Sequence, residues 1–179
     1  AVTTLTEADA EAIRHDVLGI RYVSPSLSTR VQVIAETANW NTSVQGASEE
    51  LPAIRSWPMQ FGDFFTADDV RRSAKVAVLG STARDQLFGA GTDPVGQTVR
   101  IKNQPFRVVG VLMSKGQAAM GPDQDDTVIV PFTTVQKRLQ GVEHLSGITL
   151  SAEDGADLEQ ISSQIAALLR ERHRVEPGS

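Results

Sequence analysis

Residues 76–101, VAVLGSTARDQLFGAGTDPVGQTVRI, change character twice within one short stretch. A compact apolar run over 75–79 stops at Gly80 and reads as a strand. Residues 81–88 then carry Ala83, Leu87 and Phe88 at helical spacing, so a strand passes directly into a helix. From Gln97 the period shortens to two, with Val99 and Ile101 alternating with polar neighbours, the pattern of a half-buried strand. Residues 106–112 and 128–130 are also strand-like, with turns predicted at Asn103, Gly116 and Gly121. A β-rich unit over residues 76–142 follows.

Both flanks of this unit are mixed. On the N-terminal side Thr6 is placed to cap the amides of Ala8 and Asp9, and Glu7, Asp9 and Glu11 suit the positive end of a helix that runs to about His15. Residues 17–23 and 30–37 are rich in β-branched side chains and predict two strands, with Ser24, Pro25 and Ser26 as punctuation between them. Residues 39–46 are polar apart from Trp40 and Val44 and admit a hairpin end or an irregular loop. A short helix is predicted within 49–57. Pro58 and Gly62 break its continuation, and Thr66 caps a helical turn at 68–72. On the C-terminal side a strand at 148–150 and a turn at Asp154 and Gly155 lead into a helix from Asp157. There Leu158, Ile161, Ile165, Leu168 and Leu169 form one apolar stripe. The fold class is therefore α+β, with residues 1–75 and 143–179 as one mixed layer and residues 76–142 inserted into it. No internal repeat of fixed period is present.

The chain has 179 residues and a formal net charge of −5, with acids and bases interspersed. That distribution gathers neither nucleic acid nor anionic lipid, so both are set aside as partners. Cysteine is absent, which excludes a disulfide framework, a thiolate metal site and a thiol nucleophile. No apolar run approaches the roughly 20 residues of a membrane helix. The first residue is Ala1, within a helix signal, so a fragment of a longer chain is expected.

Four constellations bear on chemistry. The strand, Gly80 and helix superficially resemble a phosphate-binding turn, but Gly80 is followed by Ser81, Thr82 and Ala83, with no second Gly before Gly89 and no Lys before a Ser or Thr. Asp123, Asp125 and Asp126 form an acidic turn after Pro122; the closing position of a calcium loop falls on Thr134 and its central Gly is missing. His15, His144 and His173 stand at no metal-binding spacing, and two of them lie near predicted helix C-termini, where they suit a capping role. Trp57, Phe61, Phe64 and Phe65 concentrate aromatic surface, read as core at the joint between the two units with a partner surface as the alternative. No cofactor and no catalytic residue is predicted.

The order of short motifs carries a resemblance. Residues 62–69, Gly-Asp-Phe-Phe-Thr-Ala-Asp-Asp, resemble the Gly-x-x-Phe-[Ser/Thr]-x-x-Asp element of MacB-type periplasmic domains, through Gly62, Phe65 and Asp69. In register after it, residues 76–80 are similar to that family's Val-x-Val-Leu-Gly strand ending at Gly80. Leu87, Phe88 and Gly89 match its Leu-Phe-Gly, and Asp93, Pro94, Val95, Gly96 and Gln97 its Asp-Pro-[Val/Ile]-Gly-[Lys/Gln]. Residues 106–112, which include Gly110, resemble its Val-[Ile/Val]-Gly-Val-Leu strand, and 123–131, ending at Pro131, resemble the strand that follows. Asp63 departs from the pattern, where Arg is common, so no ion pair of that Arg carries over.

The resemblance implies an extracytoplasmic domain of an ABC transporter permease, on the periplasmic or extracellular side of the cytoplasmic membrane. It implies a porter-like α/β subdomain with a β-rich, Sabre-like subdomain inserted. The partners it implies are the membrane helices of the same permease, a second copy in a homodimer, and a periplasmic adaptor. ATP would be hydrolysed in a separate cytoplasmic domain, and the motifs above are architectural. A regulatory domain that activates a cell-wall hydrolase, and a free-standing nucleotide-binding enzyme, are the competing expectations.

Overall fold

The computed structural model describes residues 4–115 and 123–174; the turns predicted at Gly116 and Gly121 lie outside them. The chain runs β1 (Leu5–Thr6), α1 (Glu7–Asp16), β2 (Ile20–Ile34), β3 (Asn39–Ala47), α2 (Leu51–Arg55), β4 (Met59–Gly62), α3 (Ala67–Arg71), β5 (Val76–Leu79) and α4 (Ser81–Phe88). It continues through β6 (Thr98–Ile101), β7 (Gln104–Leu112), β8 (Thr127–Pro131) and α5 (Phe132–Thr134), which passes into a π-helical turn, Val135–Gln140. It ends with β9 (His144–Leu145), β10 (Gly147–Ala152) and α6 (Leu158–Arg174). The class is mixed α and β, as expected.

Where two strands were predicted at 17–23 and 30–37 there is one strand of 15 residues, β2. Over residues 20–26 it pairs with β10 alone, so Pro25 occupies an edge position, where a missing N–H is tolerated. At Leu27 it changes partner and pairs with β3 as far as Ile34. Residues 39–47, ambiguous in sequence, are this long antiparallel partner; Val44 is fully buried and Trp40 anchors the strand through its indole N–H to Asp126 Oδ1 at 2.8 Å.

The pairing then closes on itself. β3 runs parallel to β8, β8 antiparallel to β5, β5 parallel to β7, β7 antiparallel to β6, and β6 returns to β2 at Arg100 and Ile101. Six strands therefore form a ring, with β10 appended to β2 and β4 to β7. Closure removes most free strand edges. The ring's interior is apolar and fully buried at Val33, Val44, Leu79, Ile101, Phe106, Val108 and Val128. Strands from residues 20–47 and from 76–131 share it, so the ring crosses the boundary expected at residue 76. Lys102 and Asn103, both at positive φ, make the two-residue turn predicted at Asn103 between β6 and β7.

A second, smaller core lies apart from the ring. Ile13 and Val17 of α1 and Ile161 of α6 form it, with Ile165, Leu168 and Leu169 of the predicted stripe and Leu150 of β10 packed on its margin. Trp57 and Phe65, 4% and 3% exposed, belong to the larger core, with Phe61 and Phe64 against it. The aromatic cluster is thus packing, and the Trp57 indole N–H donates to Met113 O at 2.8 Å.

Candidate functional site

Helix α1 begins where the sequence says it should, because Thr6 and Asp9 form a capping box. Thr6 Oγ1 accepts the Asp9 N–H at 3.2 Å, and Asp9 Oδ2 accepts the Thr6 N–H at 3.1 Å. The carboxylate has further partners that the sequence did not disclose. Arg172 Nε donates to Asp9 Oδ1 at 2.7 Å, and His173 Nε2 lies 3.0 Å from Oδ2. The Asp9 side chain is 3% exposed. Burial on its own pushes its pKa up; the hydrogen bonds from Arg172, His173 and the Thr6 amide outweigh that and hold it below the ordinary aspartate range. Asp9 is therefore an anion at neutral pH, and it ties the first helix to the last.

The apolar stripe of α6 brings those partners together. Near the α6 start, a β-carbon on Gly19 would lie 3.2 Å from Ile161 Cδ1, and at its far end Arg172 meets the first turn of α1. The two helices are antiparallel, and the N-terminus of α1 and the C-terminus of α6 share one end of the molecule. A second link joins α1 to the sheet: Arg14 donates to both Glu50 carboxylate oxygens at 2.8 and 2.7 Å and to Val23 O at 3.1 Å. The Glu50 hydrogen bond raises the Arg14 pKa, and Glu50 also accepts the Val23 N–H.

The motif residues serve the architecture in several ways. Gly62, Gly80 and Gly110 are sites of close backbone approach: an added β-carbon would lie 2.2 Å from Val109 O, 2.2 Å from Asp125 O and 2.5 Å from Asp63 O respectively. Phe65 and Leu87 are buried, and Phe88 packs against the same core. Asp69 completes a second capping box with Thr66 at α3, while Asp93 Oδ1 accepts the Val95 N–H ahead of Gly96. Gly89 and Gly96 adopt φ of +104° and +94°, and Pro131 ends β8 at the start of α5. Together with Ile34 and Glu36, Leu87, Phe88, Asp93, Pro94 and Gly96 line a cleft of about 800 Å³.

The Gly80 turn is filled by the chain itself. The first free amides of α4, those of Thr82 and Ala83, approach Asp125 O at 3.2 and 3.5 Å, and the Gly80 N–H donates to Thr127 O. A phosphate would have to displace that carbonyl. The acidic turn disperses as well: Asp123 accepts from the Thr82 hydroxyl, Asp125 from the Ser114 hydroxyl and the Lys115 amide, and Asp126 from Trp40 and Thr42. Among the described residues no group of three His, Cys, Asp or Glu side chains is placed to hold a metal. His15 and His173 do occupy the last turns of α1 and α6.

The family described as MacB-like periplasmic core domain matches residues 1–168. The chain belongs to that family. It is 39% identical over 171 residues to the macrolide export ATP-binding/permease protein MacB of Rhodospirillum rubrum, covering 95% of this chain and 26% of that protein. It is 37% identical over 172 residues to the MacB of Bdellovibrio bacteriovorus, covering 96% of this chain and 26% of the relative. The chain thus spans about a quarter of the length of these relatives. The crystal structure of the periplasmic region of MacB from Actinobacillus actinomycetemcomitans superposes with a TM-score of 0.84 at 25% identity, over 97% of this chain and 76% of that one. The extracellular domain of the noncanonic ABC-type transporter YknZ from Gram-positive bacteria shares the fold, with a TM-score of 0.83 at 20% identity over 98% and 88% of the two chains. This MacB-like domain therefore stands on the periplasmic or extracellular side of a membrane protein of the ABC transporter class. Among the described residues no helix is long and apolar enough to cross a membrane.

Proposed function

We propose that the domain is a non-catalytic transmission element: it follows the membrane helices of its own permease, which works as a homodimer, and passes ATP-driven motion to a docked periplasmic adaptor so that cargo is exported. The observation that carries this reading is the Asp9 tie. It fixes α1 and α6 side by side at one end of the fold, through a buried carboxylate that engages Arg172 and His173. A domain inserted between two membrane helices has both connections at one end, and a stiff bond between the connecting helices turns their relative movement into movement of the whole body. Within that body the larger core is shared by strands from both sides of residue 76, so the porter-like and β-rich parts move as one unit in this reading. The filled Gly80 turn supports placing ATP hydrolysis in a separate cytoplasmic domain.

The test is a distance measurement on the complete transporter in lipid nanodiscs. With one spin label per subunit on an exposed position of the domain, such as Glu159, the inter-subunit distance distribution should differ between nucleotide-free and ATP-trapped states. Identical distributions in both states, in a transporter that still hydrolyses ATP, would overturn the reading.

A further inference from the structure

The end of the helical layer opposite the Asp9 tie carries the two most exposed large apolar side chains among the described residues, Leu18 at 80% and Leu158 at 68%. Leu18 sits between the C-cap of α1 and Gly19, whose φ of +86° turns the chain into β2. Leu158 is the first member of the α6 stripe and overruns the core that Ile161 begins. Next to Leu18 is a hollow of about 200 Å³, floored by Ile161 and walled by Gly19 and Ala156.

The rim of this tip is acidic. Asp16, Glu153, Asp154, Asp157 and Glu159 are all exposed, and the Glu153 N–H donates to Gly19 O at 2.7 Å, which sets the 153–157 turn beside Leu18. Residues 147–169 contain no Lys, Arg or His. The cation nearest in sequence to Gly19 is Arg21, whose guanidinium lies 5.5 Å from the Tyr22 ring centroid. Two copies meeting tip to tip would place acid against acid, which disfavours self-association there. A 17-residue helix, about 25 Å long at 1.5 Å per residue, separates this tip from the end where the chain's two terminal helices meet.

We infer that the tip is a docking surface for a partner segment presenting a leucine or aromatic anchor flanked by Lys or Arg. In the complete transporter that segment belongs to the adaptor, so the inference rests on the docking part of the function proposed above. Apolar centre and charged rim divide the work: the leucines and hollow hold the anchor, and the acids steer its approach and choose its sign.

The experiment measures binding of the purified adaptor of the same transporter to the full-length permease in nanodiscs, at low and high salt. Three permeases are compared: wild type, Leu18→Asp with Leu158→Asp, and Glu153→Lys with Asp154→Lys. All four side chains point to solvent, and unchanged melting of each variant verifies folding. The leucine variant is expected to weaken binding by about tenfold or more. The charge variant is expected to slow association and to lose its salt dependence. Equal binding by all three would overturn the tip assignment and leave adaptor docking standing. No binding by the wild type would overturn both. A change of oligomeric state on Leu18→Asp would give the tip to a second copy and overturn the inference.

Discussion

Replacing Asp9 by Ala tests the tie between the terminal helices most directly. The substitution removes a carboxylate that is 3% exposed from Arg172, from His173 and from the Thr6 amide. Breaking a fully buried ion pair costs about 3–5 kcal/mol, but Arg172 is 35% exposed and can turn to water, so its share falls toward the surface-pair value of about 0–1 kcal/mol. His173, 12% exposed, loses a charge-assisted contact of about 1–2 kcal/mol, and the lost half of the capping box adds about 1 kcal/mol. A total of about 2–4 kcal/mol lowers the melting temperature of a domain this size by about 5–12 °C. Calorimetry at neutral pH reads that shift, and hydrogen exchange locates it, with amides of α6 and α1 losing protection while those of the six-stranded ring keep theirs. A shift below about 2 °C, or equal loss of protection in the ring, refutes the reasoning. The sign of the pH dependence follows from the lowered Asp9 pKa. Its stabilisation is complete above the unfolded value of about 3.9 and disappears as pH falls through the lower folded value. The gap between wild type and Asp9→Asn should therefore be widest near neutrality and close in strong acid.

Other outcomes follow from the same structure. Gly80→Ala places a β-carbon 2.2 Å from Asp125 O and should cost about 3 kcal/mol or more, whereas Gly141→Asn, at φ +64° in open space, should stay within about 1 kcal/mol; parallel urea titrations decide. Thr66→Ala removes one arm of an exposed capping box and should cost about 1 kcal/mol, recovered by Thr66→Ser. Because the α4 amides already face Asp125 O, titration of the domain with ATP should show no saturable binding in the micromolar range; such binding, abolished by Gly80→Val, would reopen the nucleotide reading.

What the sequence revealed, and what it hid, divides along the range of the interactions. The stripe of α6, the Thr6 and Thr66 caps, the β5–α4 passage and the turn at Asn103 are set by neighbours within four residues and were legible. Ser24, Pro25 and Ser26 looked like punctuation because edge status, which lets Pro25 sit inside β2, depends on pairing with β10 more than 120 residues away. Strand β4 was hidden between Pro58 and Gly62, and no element was expected over the π-helical turn that buries Val135 and Leu139. Of the candidate site, Asp9 was legible only as a cap. Its partners 163 and 164 residues away left no trace beyond the basic last turn of α6, a placement that the helix dipole explains just as well.

The closed ring also has a consequence for how the molecule is made. Its β3–β8 seam joins Ser43 to Thr127, and its interior cannot be sealed until residues 127–131 have arrived. In a chain delivered N-terminus first across a membrane, β2 and β3 reach the far side as a lone hairpin with one long edge bare, some 80 residues before the strand that covers it. A two-stranded hairpin is marginal in water, and such late, non-local pairing places folding in the millisecond-to-second range. Throughout that interval the bare edge of β3 invites pairing with a neighbouring nascent copy. Assembly is thus limited by the order in which the strands are supplied, and production of the protein should be most sensitive to substitutions that make that waiting edge more apolar.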